Sequence, residues 1–72
     1  MLHIIAYKDQ TGKDFNGLPW VQIASDDLTY AKYQASTMEV KYDLKNVVLA
    51  ECLDEELPET VTWEFIYEHQ VF

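Results

Sequence analysis

Arginine is absent from the 72 residues, cysteine occurs once, and glycine and proline occur twice each. Without arginine no side chain can form the bidentate fork that phosphate sites favour, so direct nucleic-acid binding is not expected. The single Cys52 excludes a disulfide framework within the chain, and a lone thiol suits a reducing compartment. No stretch reaches the ~18 apolar residues that a membrane span requires. The opening Met1-Leu2-His3-Ile4-Ile5-Ala6-Tyr7-Lys8 is too short for a secretory apolar region and has no basic flank ahead of it. The expected location is the cytoplasm.

Positive charge is scarce as well. Five lysines stand against 13 Asp and Glu, a formal charge of −8. Apolar residues are not scarce: 49% of the chain is hydrophobic and 14% aromatic, well above what disordered segments carry. The expectation is one folded domain over residues 1–72.

Motifs of catalysis are missing too. Gly12 and Gly17 belong to no phosphate-cradling loop, and Ser25 and Ser36 lack a nucleophile-elbow context. Asp26-Asp27 and Glu55-Glu56 would need a pocket to shift their acidity, and a chain this small struggles to enclose ~300 Å³. His3, His69 and Cys52 fit no zinc-ligand spacing. They read instead as a small buried thiol and two histidines at a sheet margin. No enzymatic activity, metal or cofactor is expected.

The local patterns predict four strands and a helix. Leu2–Lys8 and Trp20–Ala24 are rich in β-branched and aromatic residues. Turn chemistry at Asp9–Asp14 and Asn16–Pro19 separates them, a connection long for a tight hairpin, with Phe15 as its anchor to the core. Ser25-Asp26-Asp27 is a helix-start signal. Leu28, Ala31, Ala35, Met38 and Tyr42 follow at the 3-4 spacing of one helical face, predicting a helix over about 26–42. Val47–Leu53 reads as a third strand, apolar on both faces in its first half. Pro58 interrupts an acidic loop. Val61, Trp63, Phe65 and Tyr67 then alternate with Thr62, Glu64, Ile66 and Glu68, the period of a half-buried fourth strand, with 69–72 extending it. The expected architecture is α+β, a two-layer sandwich of a four-stranded, mostly antiparallel sheet and one helix, ordered ββαββ. A crossover from the second strand to the third is expected to be right-handed if those two run parallel in one sheet.

Charge is distributed unevenly along this plan. Residues 1–45 carry 6 acidic groups and 5 lysines, a net of −1, whereas residues 46–72 carry 7 acidic groups and no lysine. The candidate partner-binding residues are therefore Glu51, Asp54, Glu55, Glu56, Glu59, Glu64 and Glu68. On a strand, Glu64 and Glu68 would stand about 13 Å apart. Such a surface steers basic partners and repels nucleic acid and anionic lipid. The plain alternative is solubility, for which small domains often carry net charge of magnitude ~2–8. A second candidate surface is the outer face of the helix, where Tyr30, Tyr33 and Val40 cluster opposite the core stripe. Its plain alternatives are cover by the loop at 9–19 or a wide buried stripe.

On the acidic run Asp54-Glu55-Glu56, Glu59, Glu64 and Glu68, together with the aromatic segment Trp63–Tyr67, the chain resembles small acidic inhibitor proteins encoded by bacteriophages. These comprise anti-CRISPR proteins, DNA mimics and inhibitors of host polymerase, nuclease or toxin. The resemblance is one of profile: size, charge and compactness. It implies stoichiometric, non-catalytic binding in a host bacterial cytoplasm to a basic surface of a nucleic-acid-processing protein, with the tyrosines or an edge strand adding apolar contact. The competing reading is an assembly module that forms a homodimer through the Tyr30–Tyr33 face, its acidity serving solubility alone.

Overall fold

The computed structural model describes residues 2–52 and 58–72. It is α+β: three strands, β1 (Leu2–Lys8), β2 (Trp20–Ser25) and β3 (Lys45–Cys52), and two helices, α1 (Leu28–Lys41) and α2 (Trp63–Glu68). The sheet order is β2-β1-β3, and both pairings are antiparallel. β2 and β3 therefore run parallel to each other on either side of β1, and α1 carries the chain between them.

Burial follows directly from the apolar runs. Ile4, Ile5 and Ala6 of β1 are fully buried, as are Leu49 and Ala50 of β3, with Val48 nearly so. Successive strand residues point to opposite faces, so an uninterrupted apolar run needs cover on both. One cluster joins Ile5 and Leu49 to Ala31, Ala35 and Met38 of α1. The other joins Ile4, Ala6, Val48, Ala50 and Cys52 to Ile66 of α2. The sheet thus lies between two helices in three layers, where two layers were expected. β3 is apolar on both faces, as its sequence indicates, and that property demands the second helix.

The fourth strand is the main correction. Residues 63–68 form α2, and the alternation of Val61, Trp63, Phe65 and Tyr67 does not become a sheet face. Ile66, which the period-two pattern sends to the polar side, is the buried residue of this helix. Residues 69–72 do meet the sheet: the amide of Glu51 donates to the His69 carbonyl at 2.9 Å and that of Val71 to the Leu49 carbonyl at 2.8 Å. Gln70 bridges Ala50. The outer edge of β3 is covered along this stretch.

α1 begins one residue after Asp27, whose side chain accepts from the amides of Thr29 and Tyr30 and so satisfies two otherwise unpaired N–H groups. The predicted stripe holds at its centre only. Ala31, Ala35 and Met38 are buried, while Leu28 and Tyr42 at its ends are exposed. Asp43 at φ 51° follows the Tyr42 cap, a left-handed residue that ends the helix.

The connection from β1 to β2 contains its own small hairpin. Phe15 and Leu18 exchange backbone hydrogen bonds of 2.9 and 2.7 Å around Asn16 and Gly17. Both turn residues have positive φ, 49° and 79°, the requirement that Asn-Gly meets at least cost. Phe15 is not a core anchor; it is 59% exposed and lies edge-on to Trp20 at 5.8 Å. Just before it, the Asp9 carboxylate accepts from the Thr11 hydroxyl and amide and from the Lys13 amide. The Thr11 hydroxyl and then the Lys13 amide hold the Asp9 carboxyl below its ordinary value. Among the described residues, no helix is long and apolar enough to cross a membrane.

Candidate functional site

The acidic surface is built on α2, and α2 is held by contacts at every turn. Thr62 caps it, its hydroxyl accepting from the Phe65 amide at 3.1 Å. Glu64 sits in the first turn, where a carboxylate complements the positive end of the helix. Ile66 is fully buried and docks the helix on β3. The Trp63 indole donates to the Asp14 carboxylate at 2.6 Å, tying α2 to the β1–β2 connection. Lys8 lies over the same indole, 5.3 Å from its centroid. Phe65 stacks on His69 at 4.3 Å, and the His69 amide closes the helix on the Phe65 and Ile66 carbonyls.

With Trp63, Phe65 and Ile66 turned inward, the remaining face of α2 is Glu64, Tyr67 and Glu68, all exposed. Glu64 and Glu68 are one helical turn apart, which sets their Cβ atoms at about 5–6 Å, closer than the ~13 Å of the expected strand. Tyr67 flanks them, stacked on Trp63 at 5.7 Å, and its hydroxyl accepts from the Asn46 amide at 2.8 Å. Glu59 is exposed just upstream. Asp54, Glu55 and Glu56 lie outside the described residues.

Glu51 is placed differently. Its carboxylate meets His3 Nε2 at 3.0 Å, while His3 Nδ1 faces the Ser25 carbonyl at 2.8 Å. His3 is 3% exposed and sits inside the sheet, not at its margin. The result is a strut across all three strands, from Ser25 through His3 to Glu51.

That contact is the one within salt-bridge distance among the described residues. Glu59, Glu64 and Glu68 thus have no lysine within salt-bridge distance. Lysines rest on rings instead: Lys8 on Trp63, Lys32 on Phe72 and Lys41 on Tyr42, each 5.3–5.5 Å from the centroid. The exposed carboxylates of the α2 face are left without a salt-bridge partner among the described residues.

The second candidate surface is also exposed. Tyr30, Tyr33 and Val40 are 53%, 69% and 84% accessible, so the loop at 9–19 does not cover them. A cavity of ≈ 270 Å³ separates this side of α1 from β2, with Tyr30, Tyr33, Gln34 and Gln22 among its walls. Gln34 Oε1 is buried there without a hydrogen-bond partner among the described residues. Sequence reasoning missed this junction because it ranked the tyrosines by helical wheel alone and did not derive the strand order that sets β2 at the edge beside α1. No family model, curated protein or solved structure matches the chain.

Proposed function

We propose that this chain is a non-catalytic inhibitor that occupies a basic, nucleic-acid-binding surface of another protein. The partner is of the kind that phage-encoded inhibitors target: a defence complex, nuclease or polymerase. One observation carries the reading: the exposed carboxylates of Glu59, Glu64 and Glu68 have no lysine partner, on a part of the chain that contains no lysine at all. Asp54, Glu55 and Glu56 add to that charge in sequence. Uncompensated charge of one sign raises the encounter rate with the opposite sign. Tyr67, stacked on Trp63, supplies rigid aromatic contact area beside the two glutamates of α2.

The test is capture from bacterial lysate at about 0.1 M and 0.5 M salt, where the Debye length shrinks by more than half. The reading expects a nucleic-acid-processing protein retained at low salt, released at high salt, and displaced by added DNA or RNA. Substituting Glu59→Gln, Glu64→Gln and Glu68→Gln together should abolish retention. A protein that stays bound to the triple variant, or that nucleic acid does not displace, would defeat it.

A further inference from the structure

We propose that β2 is the seam of a homodimer, in which β2 of one chain pairs antiparallel with β2 of a second copy about a two-fold axis through Gln22. Among the described residues β2 pairs with β1 alone and forms one edge of the sheet. The opposite edge is closed by residues 69–72, whereas this one has no such strap.

The composition of β2 is the first argument. Trp-Val-Gln-Ile-Ala-Ser contains no charged residue, proline or glycine, although a quarter of the chain is charged. Natural edge strands are usually guarded by lysine, proline, an inward charge or a bulge; β2 has only a bulge at Ala24, past its apolar centre, and an apolar edge is a template for pairing. Ile23 is 58% exposed and Trp20 42%. For a protein of charge −8, a strip without charge is where a second copy can approach against least repulsion. A basic partner would gain nothing there from its charge.

Register is the second argument. Directly opposed antiparallel residues share a face, so a two-fold pairing must centre on a residue. Centred on Gln22, it sets Val21 against Ile23 of the other copy, with the bulge at Ala24 lying beyond that pair. The Gln22 amides, each both donor and acceptor, meet across the axis. Asp26 falls opposite Leu18 of the partner copy, and the two Asp26 carboxylates end up ~27 Å apart, beyond effective screening distance. Gln22 also lines the cavity that holds Tyr30, Tyr33 and the orphaned Gln34 Oε1. The axis therefore brings the cavities of the two copies together, with the exposed tyrosines beside it.

This inference does not rest on the acidic-face reading, and salt separates the two. Screening weakens attraction to a basic partner but relieves repulsion between two acidic copies. Sedimentation equilibrium of the full chain, from about 10 µM to 1 mM, should show a dimer that tightens between about 0.05 M and 0.5 M salt. Ile23→Lys, at an exposed position, should raise the dissociation constant by about tenfold or more, with unchanged far-UV circular dichroism. Val40→Lys, on the outer face of α1, should leave it unchanged. A variant-independent check is Gln22→Cys under mild oxidation. Opposed Cα atoms at about 4.5–5.5 Å permit a disulfide, whereas Ile23→Cys, displaced diagonally to about 7–8 Å, should not cross-link. A monomer at every concentration, or a dimer broken by Val40→Lys and not by Ile23→Lys, would overturn the proposal. Exchange of the outward-facing amides of 20–25, those not bonded to β1, that is independent of concentration would do the same.

Discussion

Replacing Ile66 with alanine tests how the acidic face is held. α2 has six residues, far below the length at which an isolated helix is stable in water. Its orientation therefore depends on docking, and Ile66 is its one buried residue. Ile66→Ala removes three buried carbons. At about 0.8 kcal/mol each, the transfer term is ~2.4 kcal/mol, and an unfilled cavity brings the loss into the range of about 2–5 kcal/mol. A domain of this length has about 4–11 kcal/mol in all, so the variant should lose a large share of its stability. With a urea slope near 1 kcal/mol per molar for so small a chain, the midpoint should fall by about 2 M or more. The assay is urea unfolding followed by Trp63 fluorescence in a Trp20→Phe background, with Ile66→Val as the mild control at about 0.5–1.5 kcal/mol. A midpoint shift under about 0.5 M would show that Ile66 does not anchor α2, and the argument for a fixed Glu64–Tyr67–Glu68 face would fail with it.

Three further outcomes follow from single contacts. Glu51→Ala leaves His3 Nε2 without an acceptor inside the sheet and should cost about 1–3 kcal/mol, measured by the same unfolding assay. Asp27→Ala removes the acceptor for the Thr29 and Tyr30 amides and should cost about 0.5–2 kcal/mol; no loss would mean that α1 is capped otherwise. The Asp9 carboxyl, held down by Thr11 and Lys13, contributes stability that is present above its unfolded-state value and lost as pH falls through the lower folded one. Its carboxyl titration by NMR should therefore have a midpoint below that of an unstructured peptide, and Asp9→Asn should flatten this part of the acid dependence.

The sequence made much of this fold legible. Ser25-Asp26-Asp27 followed by apolar residues at helical spacing identified α1 to within two residues of its start, because a capping carboxylate and a 3-4 repeat are both local signals. Strands β1, β2 and β3 were legible from their β-branched runs. The segment at 61–68 was not, because seven residues of alternating aromatics satisfy the strand period by accident, and short runs cannot separate the two periods. A clue was present. Ile66 contradicted the alternation, and Thr62 ahead of Glu64 is a helix-start pair. The acidic candidates were legible as a charge imbalance, but their placement was not. Glu51 lies on the same chain segment as Glu59, yet it turns inward because β1 happens to set His3 opposite it, a pairing that only the sheet register creates. The open edge of β2 likewise depends on strand order, which no local pattern encodes.

The central claim is that the α2 carboxylates draw in a cationic protein surface. Its most direct measurement is the association rate constant between this chain and a protein it retains at low salt, followed from about 0.05 M to 0.5 M salt for the wild type and for the Glu59→Gln, Glu64→Gln, Glu68→Gln variant. The account predicts a wild-type rate that drops by about tenfold or more over that range, and a variant that starts slow and barely changes. Equal slopes for the two proteins would contradict it.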